Sequence, residues 1–185
     1  MIFSDGFSKT ELDMEVSKEM RRQEAQKWLE EISDTSALMG GLTALINPEV
    51  YRAGMECLEA ISLNPEMIAK NDDLLKILSY WTSPYLAISL ISNRNSPLHR
   101  DNGGGYSTMD LLVTLGKYRQ GWFHVPGLGY NLSYNSGTVI GICGRVVRHG
   151  ATAEGERLVL AQYLKANMLR ELGIKEPDWV NSSVL

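Results

Sequence analysis

Residues 109–143 have the sequence MDLLVTLGKYRQGWFHVPGLGYNLSYNSGTVIGIC, and this stretch decides the fold class. It contains four short runs rich in β-branched, aromatic and other apolar residues, at 109–115, 121–125, 130–134 and 137–143. Turn-forming residues separate the runs: Lys117, Pro126-Gly127 and Asn135-Ser136-Gly137. Short strands at this spacing, with no helices between them, favour an all-β sandwich or jelly roll over alternating βαβ units.

The same pattern continues on both sides of this stretch. Residues 85–92 form a β-prone apolar run before it, and shorter runs follow at 146–147 and 158–163, with a turn predicted at 153–155. These runs together predict about seven strands. Residues 167–172 then have the spacing of a helix.

The first 82 residues have helical rather than strand-like spacing. We predict three helices, at residues 8–31, 47–61 and 64–81. The first begins with Ser8 and Glu11 at capping-box spacing. The other two begin with Asn-Pro-Glu, in which Asn caps the helix and Pro suits its first turn. Gly40-Gly41 is expected to break the chain between the first two helices.

Length and composition place the chain among ordinary globular proteins. Its 185 residues fit one domain, which we divide into a helical support (1–82), a jelly-roll core (83–166) and a C-terminal helix and tail (167–185). Two cysteines fit a reducing compartment, and no apolar run is long enough to cross a membrane, so we expect an intracellular protein. The net charge is −4, yet residues 91–170 carry 9 Lys and Arg against 4 Asp and Glu. This basic part could steer a polyanion or could be a mixed surface.

The strongest chemical motif consists of His99, Asp101 and His149, which we call the metal triad. His99 and Asp101 are two residues apart, so on a strand their side chains point to the same face. Two imidazoles and one carboxylate leave adjacent positions of iron(II) open for O2 and a chelating co-substrate. Arg157, eight residues after His149, could bind a carboxylate through both of its outer nitrogens.

Each part of this motif has an ordinary alternative. An isolated His-x-Asp is commonly a surface histidine beside an acid, and His149 alone could be a turn residue. The joint pattern favours a metal site. Zinc sites take four N or S ligands, or three with a water and a general base, and the chain has neither a cysteine cluster nor an HExxH motif.

Several further segments belong to a larger pattern, namely 92–101 (SNRNSPLHRD), 110–112, 116–118, 126–129, 134–139, Gly144, 149–150, 155–157 and Tyr163. Through them, residues 45–170 resemble the TET/JBP-like 2-oxoglutarate dioxygenases, specifically their transposon-associated fungal branch. The resemblance implies an α+β fold in which N-terminal helices buttress a double-stranded β-helix, which is a jelly roll. It also implies oxidation of a methyl group on a DNA base. The cofactors would be Fe(II), 2-oxoglutarate and O2, with succinate and CO2 released.

By this resemblance the metal triad binds iron and Arg157 anchors the distal carboxylate of 2-oxoglutarate. Arg94, five residues before His99, looks like a second anchor for the co-substrate. Strand alternation from His99 would instead turn Asn93 and Asn95 inward, although Pro97 can reset the parity.

Four residues are candidates for contacts with DNA. Tyr163 matches an aromatic residue that stacks on a flipped base, or it is a core tyrosine. Lys165 stands where relatives often have a histidine at the base, which leaves 5-methylcytosine and N6-methyladenine both open. Asp110 could accept a hydrogen bond from the exocyclic amino group of either base, or it is a solvated strand-end acid. Asn102 and the glycines after it could let the DNA backbone approach, or they form a flexible turn.

The partner implied by these residues is double-stranded DNA with a flipped methylated base. We expect no membrane and no obligate protein partner, and a nuclear location. Two alternatives stay open: the same chemistry on a protein or small molecule, and an inactive jelly-roll binding module. The intact metal triad and Arg157 argue against the inactive module.

Overall fold

The computed structural model describes residues 2–9, 13–69 and 73–179. The chain divides into two compact units. The β unit comprises Met1–Ser4 and Ile88–Tyr163, and the helical unit comprises Asp5–Ala87 and Leu164–Leu185. Helices and antiparallel strands are both present, which confirms the α+β class. The division of a single domain at residues 82 and 166 stays a prediction.

The helical unit contains α1 (Gln23–Glu31), α2 (Ser33–Ile46), α3 (Pro48–Leu63), α4 (Leu74–Tyr80) and α5 (Ala166–Glu171), with a 3-10 turn at Pro65–Met67. The helix predicted at 47–61 is confirmed by α3, which has Pro48 in its first turn. Asn47 caps this helix, since its Oδ1 accepts a hydrogen bond from the Val50 amide at 3.1 Å. The helix predicted at 167–172 corresponds to α5.

The helix predicted at 8–31 is wrong in its first half. Met14–Val16 forms strand β2, antiparallel to the end of β1 (Ile2–Lys9) and parallel to β3 (Ile68–Ala69). Met14 and Val16 are buried on either side of a half-buried Glu15, which is the two-residue period of a strand. Glu11 of the proposed capping box lies outside the described residues.

Two other helix predictions need correction. The third predicted helix is interrupted, because residues 65–67 form a 3-10 turn and 68–69 form β3, so that α4 begins only at Leu74. The break expected at Gly40-Gly41 does not occur, since α2 continues through both glycines. A Cβ on Gly40 would lie 3.0 Å from Pro84 Cδ, so the small residue lets Pro84 pack closely against the helix.

The β unit is a sheet in which β4 (Ala87–Ser92), β9 (His149–Tyr163), β6 (Asp110–Val125) and β7 (Tyr130–Ser133) lie side by side in that order. Two further strands join it: β5 (Ser96–His99) pairs with β9, and β8 (Val139–Ile142) pairs with β6. A buried core of Phe123, Val125, Tyr134, Ile142 and Ala151 lies among these strands. The run predicted as a strand at 146–147 is a turn.

Strands β6 and β9 are longer than the sequence predicts, because the turns expected at Lys117 and at 153–155 are bends within continuous strands. Gly116 and Gly155 lie where these two strands pair with each other. Both have a positive φ, +125° and +117°, which side-chain-bearing residues rarely adopt. A Cβ on Gly116 would lie only 2.2 Å from the carbonyl oxygen of Glu156, so only glycine permits this approach. A register shift between Arg119 and Trp122 bends β6 further.

None of the helices in the described ranges is both long and apolar enough to span a bilayer.

Candidate metal and co-substrate site

The metal triad is assembled where β5 ends and β9 begins. His99 and His149 are direct partners across these antiparallel strands, and their ring centroids are 4.5 Å apart. Asp101 follows two residues after His99. Its Oδ1 lies 3.4 Å from His99 Nε2 and its Oδ2 lies 3.6 Å from His149 Nε2. The ligand atoms that the three residues offer all lie within 4.8 Å of one another.

Both imidazoles are held in the orientation that metal binding requires. His99 Nδ1 lies 2.7 Å from the carbonyl oxygen of Pro97, and His149 Nδ1 lies 3.0 Å from that of Val147. A carbonyl can only accept, so each Nδ1 carries the proton and each Nε2 keeps a free lone pair. Two Nε2 lone pairs and a carboxylate oxygen converge, which is the donor set that fits iron(II) with open positions.

Gly144 makes room for the carboxylate of the triad. Its carbonyl oxygen accepts a hydrogen bond from the Asp101 amide at 3.0 Å. A Cβ on Gly144 would lie 2.1 Å from Asp101 Oδ2 and 2.9 Å from Asp110 Oδ2. Any side chain at this position would therefore displace the carboxylate from the two imidazoles.

An apolar wall supports the buried side of the triad. His149 is buried, and its ring stacks on Phe123 with centroids 5.6 Å apart and an interplanar angle of 16°. Phe123 in turn meets the edge of Tyr134 at 5.4 Å. The partly buried Leu112, Ile140 and Val147 pack against this cluster. The wall fixes the His149 ring and gives the site a water-poor side.

Arg157 is a buried cation with one unsatisfied donor. Only 4% of the residue is exposed. Its Nη2 donates to the carbonyl oxygen of Arg94, whereas Nη1 is buried without a hydrogen-bond partner. Burial lowers the pKa of the guanidinium, and Tyr134 and Tyr118 oppose that change. A permanently charged fork with a free N–H in a dry position fits the carboxylate of 2-oxoglutarate.

The residues before His99 hold the backbone of β9. Asn93 Oδ1 accepts from the Arg157 amide at 2.8 Å, and Asn95 Oδ1 accepts from the Ala153 amide at 2.9 Å. Arg94 is exposed and touches Arg157 through its carbonyl oxygen. The Arg94 guanidinium as a second anchor therefore stays a prediction, and the two asparagines have a structural role that alternation alone does not reveal.

Asp110 opens β6 beside the metal triad and is not a solvated acid, since only 7% of it is exposed. Burial first, and then the charge of Asp101, raise the pKa of its carboxyl well above the ordinary value, while a hydrogen bond from Gly144 opposes the rise. Its Oδ1 has no hydrogen-bond partner. Asp110 is therefore a buried carboxyl with free hydrogen-bonding capacity next to the site.

The other candidates for DNA contacts lie in different places. Tyr163 is half-buried at the end of β9, and its hydroxyl lies 3.2 Å from Ser89 Oγ. Asn102 is exposed, and its carbonyl oxygen accepts a hydrogen bond from Arg145 Nη1. Lys165 precedes α5 and belongs to the helical unit. The structure thus brings Asp110 to the metal triad, and the DNA contacts of all four residues stay predictions.

Sequence reasoning gave no role to three residues that build the site: Phe123, Tyr134 and Gly144. Tyr134 and Gly144 lie in segments that carry the family resemblance, which was the available signal. Phe123 looks like any aromatic residue in a strand, and only the fold brings it against His149.

Comparison with known proteins gives two matches. A family model, Tet_JBP, described as the oxygenase domain of the 2OGFeDO superfamily, matches residues 3–166. A solved structure described as NgTET1 in complex with 5mC DNA is similar to this chain, with a TM-score of 0.64 at 15% sequence identity. The similarity covers 90% of this chain and 61% of that one, so the chain spans less than two thirds of its structural relative. No curated protein matches the sequence significantly.

These matches agree with the architecture and the donor set. The structural similarity confirms the jelly roll predicted for the strand-rich region. The superfamily uses Fe(II), 2-oxoglutarate and O2, and the metal triad can hold the iron. Because the family model spans most of the sequence, the chain belongs to the Tet/JBP family of 2-oxoglutarate and Fe(II)-dependent dioxygenases.

Proposed function

We propose that the chain oxidises a methyl group on a DNA base, either 5-methylcytosine or N6-methyladenine. His99, Asp101 and His149 would hold Fe(II), and Arg157 would bind the distal carboxylate of 2-oxoglutarate. The observation that carries the proposal is the convergence of two Nε2 lone pairs and the Asp101 carboxylate, with all ligand atoms within 4.8 Å, in a member of this oxygenase family.

When bound, Fe(II) and 2-oxoglutarate would supply the oxidising power, with O2 consumed and succinate and CO2 released. The protein's own residues position the reactants. The carbonyl oxygens of Pro97 and Val147 accept hydrogen bonds from Nδ1 of His99 and His149, which favours the ring orientation that points each Nε2 toward the metal. Phe123 and its apolar neighbours exclude water from the buried side of His149, which protects the reaction from unproductive turnover.

Arginines beside the metal triad support DNA as the substrate. Arg100 lies between His99 and Asp101, Arg148 precedes His149, and both are exposed. Arg145 follows Gly144, and its guanidinium lies 5.2 Å from the ring centre of the exposed Tyr106. Cations near the metal triad would bind phosphates and release counterions. The similarity to a structure described as a complex with 5mC DNA points the same way.

Asp110 and Tyr163 are proposed to contact the flipped base. Leu111 pairs with Gln162, so Asp110 and Tyr163 lie at neighbouring strand ends on one face of the sheet. The free Oδ1 of Asp110 could accept from cytosine N4 or adenine N6, and the Tyr163 ring could stack on the base. Asn102 would contact the DNA backbone and Lys165 the base edge. An enzyme acting on chromosomal DNA would work in the nucleus.

The proposal is tested by incubating the Fe(II)-loaded protein with 2-oxoglutarate and duplexes that carry 5-methylcytosine, N6-methyladenine or no methyl group. Succinate and the oxidised nucleosides are measured by mass spectrometry. We expect succinate formation that depends on one methylated duplex, together with loss of that methyl group. Succinate formed equally without methylated DNA would refute the DNA substrate and favour a protein or small molecule. No turnover with any substrate would favour an inactive binding module.

Matched variants separate metal binding from DNA binding. His99→Ala should abolish turnover while the protein stays folded, because it removes one of three ligands. Arg148→Ala should weaken duplex binding and lower the salt dependence by about one phosphate contact. Lys27→Ala is the control for charge, because Lys27 is an exposed cation on α1 of the helical unit. Equal salt dependence in the Arg148→Ala and Lys27→Ala variants would contradict a DNA contact at Arg148.

A further inference from the structure

Tyr106 is a large aromatic side chain on the surface near the metal triad. It is 65% exposed, and it lies in the loop that joins Asp101 of the triad to β6. Buried residues anchor the loop on either side of it, since the hydroxyl of the buried Thr108 donates to the carbonyl oxygen of the buried Gly105 at 3.0 Å. The loop therefore presents the Tyr106 ring to solvent from an anchored backbone.

Arg145 holds the ring itself. Its guanidinium carbon lies over the Tyr106 ring, 5.2 Å from the ring centre, which is the geometry of a cation–π contact. The same guanidinium donates through Nη1 to the carbonyl oxygen of Asn102, at the start of the loop. Because the cation covers only part of a side chain that is 65% exposed, ring surface stays open for a planar partner.

Backbone contacts tie this tyrosine–arginine pair to the metal triad. Gly144 precedes Arg145, and its carbonyl oxygen accepts a hydrogen bond from the Asp101 amide at 3.0 Å. Arg100, on the other side of Asp101 from the loop, donates through Nε to the Val146 carbonyl oxygen at 2.9 Å. These bonds join the two chain segments around Asp101, so the fold sets the position of the pair relative to the metal site.

The chemistry of the pair fits a nucleobase next to a phosphate. A tyrosine ring can stack on any base, because every base has a π-face. The arginine has further N–H donors for a phosphate, and its planar guanidinium can bind phosphate while it stacks on a ring. Residues 91–170 carry 9 Lys and Arg against 4 Asp and Glu, so the surrounding chain attracts a polyanion.

We propose that Tyr106 enters the gap that a flipped base leaves in the duplex and stacks on the neighbouring base, while Arg145 binds a phosphate beside it. The inference rests on the proposed function, since it takes duplex DNA with a flipped base as the substrate. Extrusion of a base costs stacking energy, and an inserted side chain recovers part of it. Tyr106 is then a binding residue that favours a methylated base in a duplex, because a single strand needs no extrusion.

The test compares duplex with single-stranded DNA in the absence of turnover. Mn(II)-loaded protein with 2-oxoglutarate and no oxygen is titrated into fluorescein-labelled methylated oligonucleotides, and fluorescence anisotropy gives the dissociation constants. We expect Tyr106→Ala to weaken duplex binding about 5- to 100-fold, as for the loss of one base–aromatic stack, and to leave single-strand binding unchanged. Tyr106→Phe, which keeps the ring, should bind both as the wild type does. Trp179→Ala, which removes a 55% exposed aromatic ring of the helical unit, is the remote control.

Two outcomes with Tyr106→Ala would overturn the inference: unchanged duplex binding, or equal weakening of duplex and single strand, which would mean a general DNA contact without insertion. Weakened duplex binding in Tyr106→Phe would overturn it as well, because the effect would then belong to the hydroxyl. The variants should keep the wild-type melting temperature, since the side chain is exposed. A wild type that binds no methylated duplex would refute the DNA substrate itself, whereas failure of the inference alone shows only in the variants.

Discussion

Replacement of Gly144 by alanine separates metal binding from folding. The new Cβ would lie 2.1 Å from Asp101 Oδ2, whereas ordinary contacts begin at 3.4 Å, so the oxygen must retreat by 1.3 Å. The Asp101 side chain is 42% exposed and can turn toward solvent. The fold should therefore tolerate the change at a cost of about 1 kcal/mol, the usual effect of a point mutation.

The metal site should not tolerate the same movement. Ligand distances in metal sites are held within about 0.2 Å, several times less than the displacement that alanine imposes. Loss of an outer-shell partner alone costs roughly 10- to 100-fold in metal affinity, so displacement of a ligand should cost at least about 100-fold. The Gly144→Ala variant should thus be a folded protein that binds Fe(II) or Mn(II) at least about 100-fold more weakly.

Calorimetric titration with Mn(II), accompanied by thermal denaturation, checks this expectation. Gly127→Ala is the matched control, because a Cβ there meets nothing within 4 Å and the backbone is not left-handed. Wild-type metal affinity in folded Gly144→Ala would refute the assignment of Asp101 as a ligand. Loss of affinity in Gly127→Ala as well would mean that the effect is not local.

Three further predictions concern the scaffold. Gly116→Ala should destabilise the protein by about 3 kcal/mol in urea denaturation, because its Cβ would strike the Glu156 backbone. Gly129→Ala is the control: Gly129 has φ +72° but open space around it, so the variant should cost only about 1–2 kcal/mol. Equal losses of stability in the two variants would contradict the role given to the Gly116 contact. Asn47→Ala should lower the stability by about 1 kcal/mol in thermal denaturation through loss of the α3 cap. Unchanged stability would mean that the cap does not stabilise the protein. Burial, with a smaller contribution from Glu56, raises the pKa of Cys57 to about 12, so iodoacetamide should modify Cys57 only after unfolding; rapid modification of the native protein, detected by mass spectrometry, would contradict its burial.

Part of the geometry of the metal triad follows from the local sequence. His99 and Asp101 share a face through strand alternation alone. The pairing of His99 with His149 is different, since it depends on the register between β5 and β9, which are separated by five predicted runs. The joint pattern with Arg157 and the family resemblance connected the two histidines, and the register then supplied the physical reason.

The strand boundaries were harder to predict for a specific reason. Glycine is the residue of turns and also the residue that lets two strands bend past each other. Gly116 and Gly155 have the positive φ of a turn but lie within continuous strands that pair across the sheet. Local sequence contains no information that separates the two uses, because the difference lies in the Glu156 carbonyl that approaches Gly116 from the neighbouring strand.

The polar atoms that folding leaves without partners give information that no sequence pattern contains. In the described β unit, the buried side-chain atoms without hydrogen-bond partners are Asp110 Oδ1, Tyr134 Oη and Arg157 Nη1. Each such atom lowers the free energy of unfolding, so a protein retains it where a hydrogen bond to a ligand offsets the loss. Two are donors linked through Phe123 to His149, and the third is a carboxyl beside Asp101. The free donor of Arg157 would suit the carboxylate of the proposed co-substrate, and the free oxygen of Asp110 would suit the amino group of the proposed base.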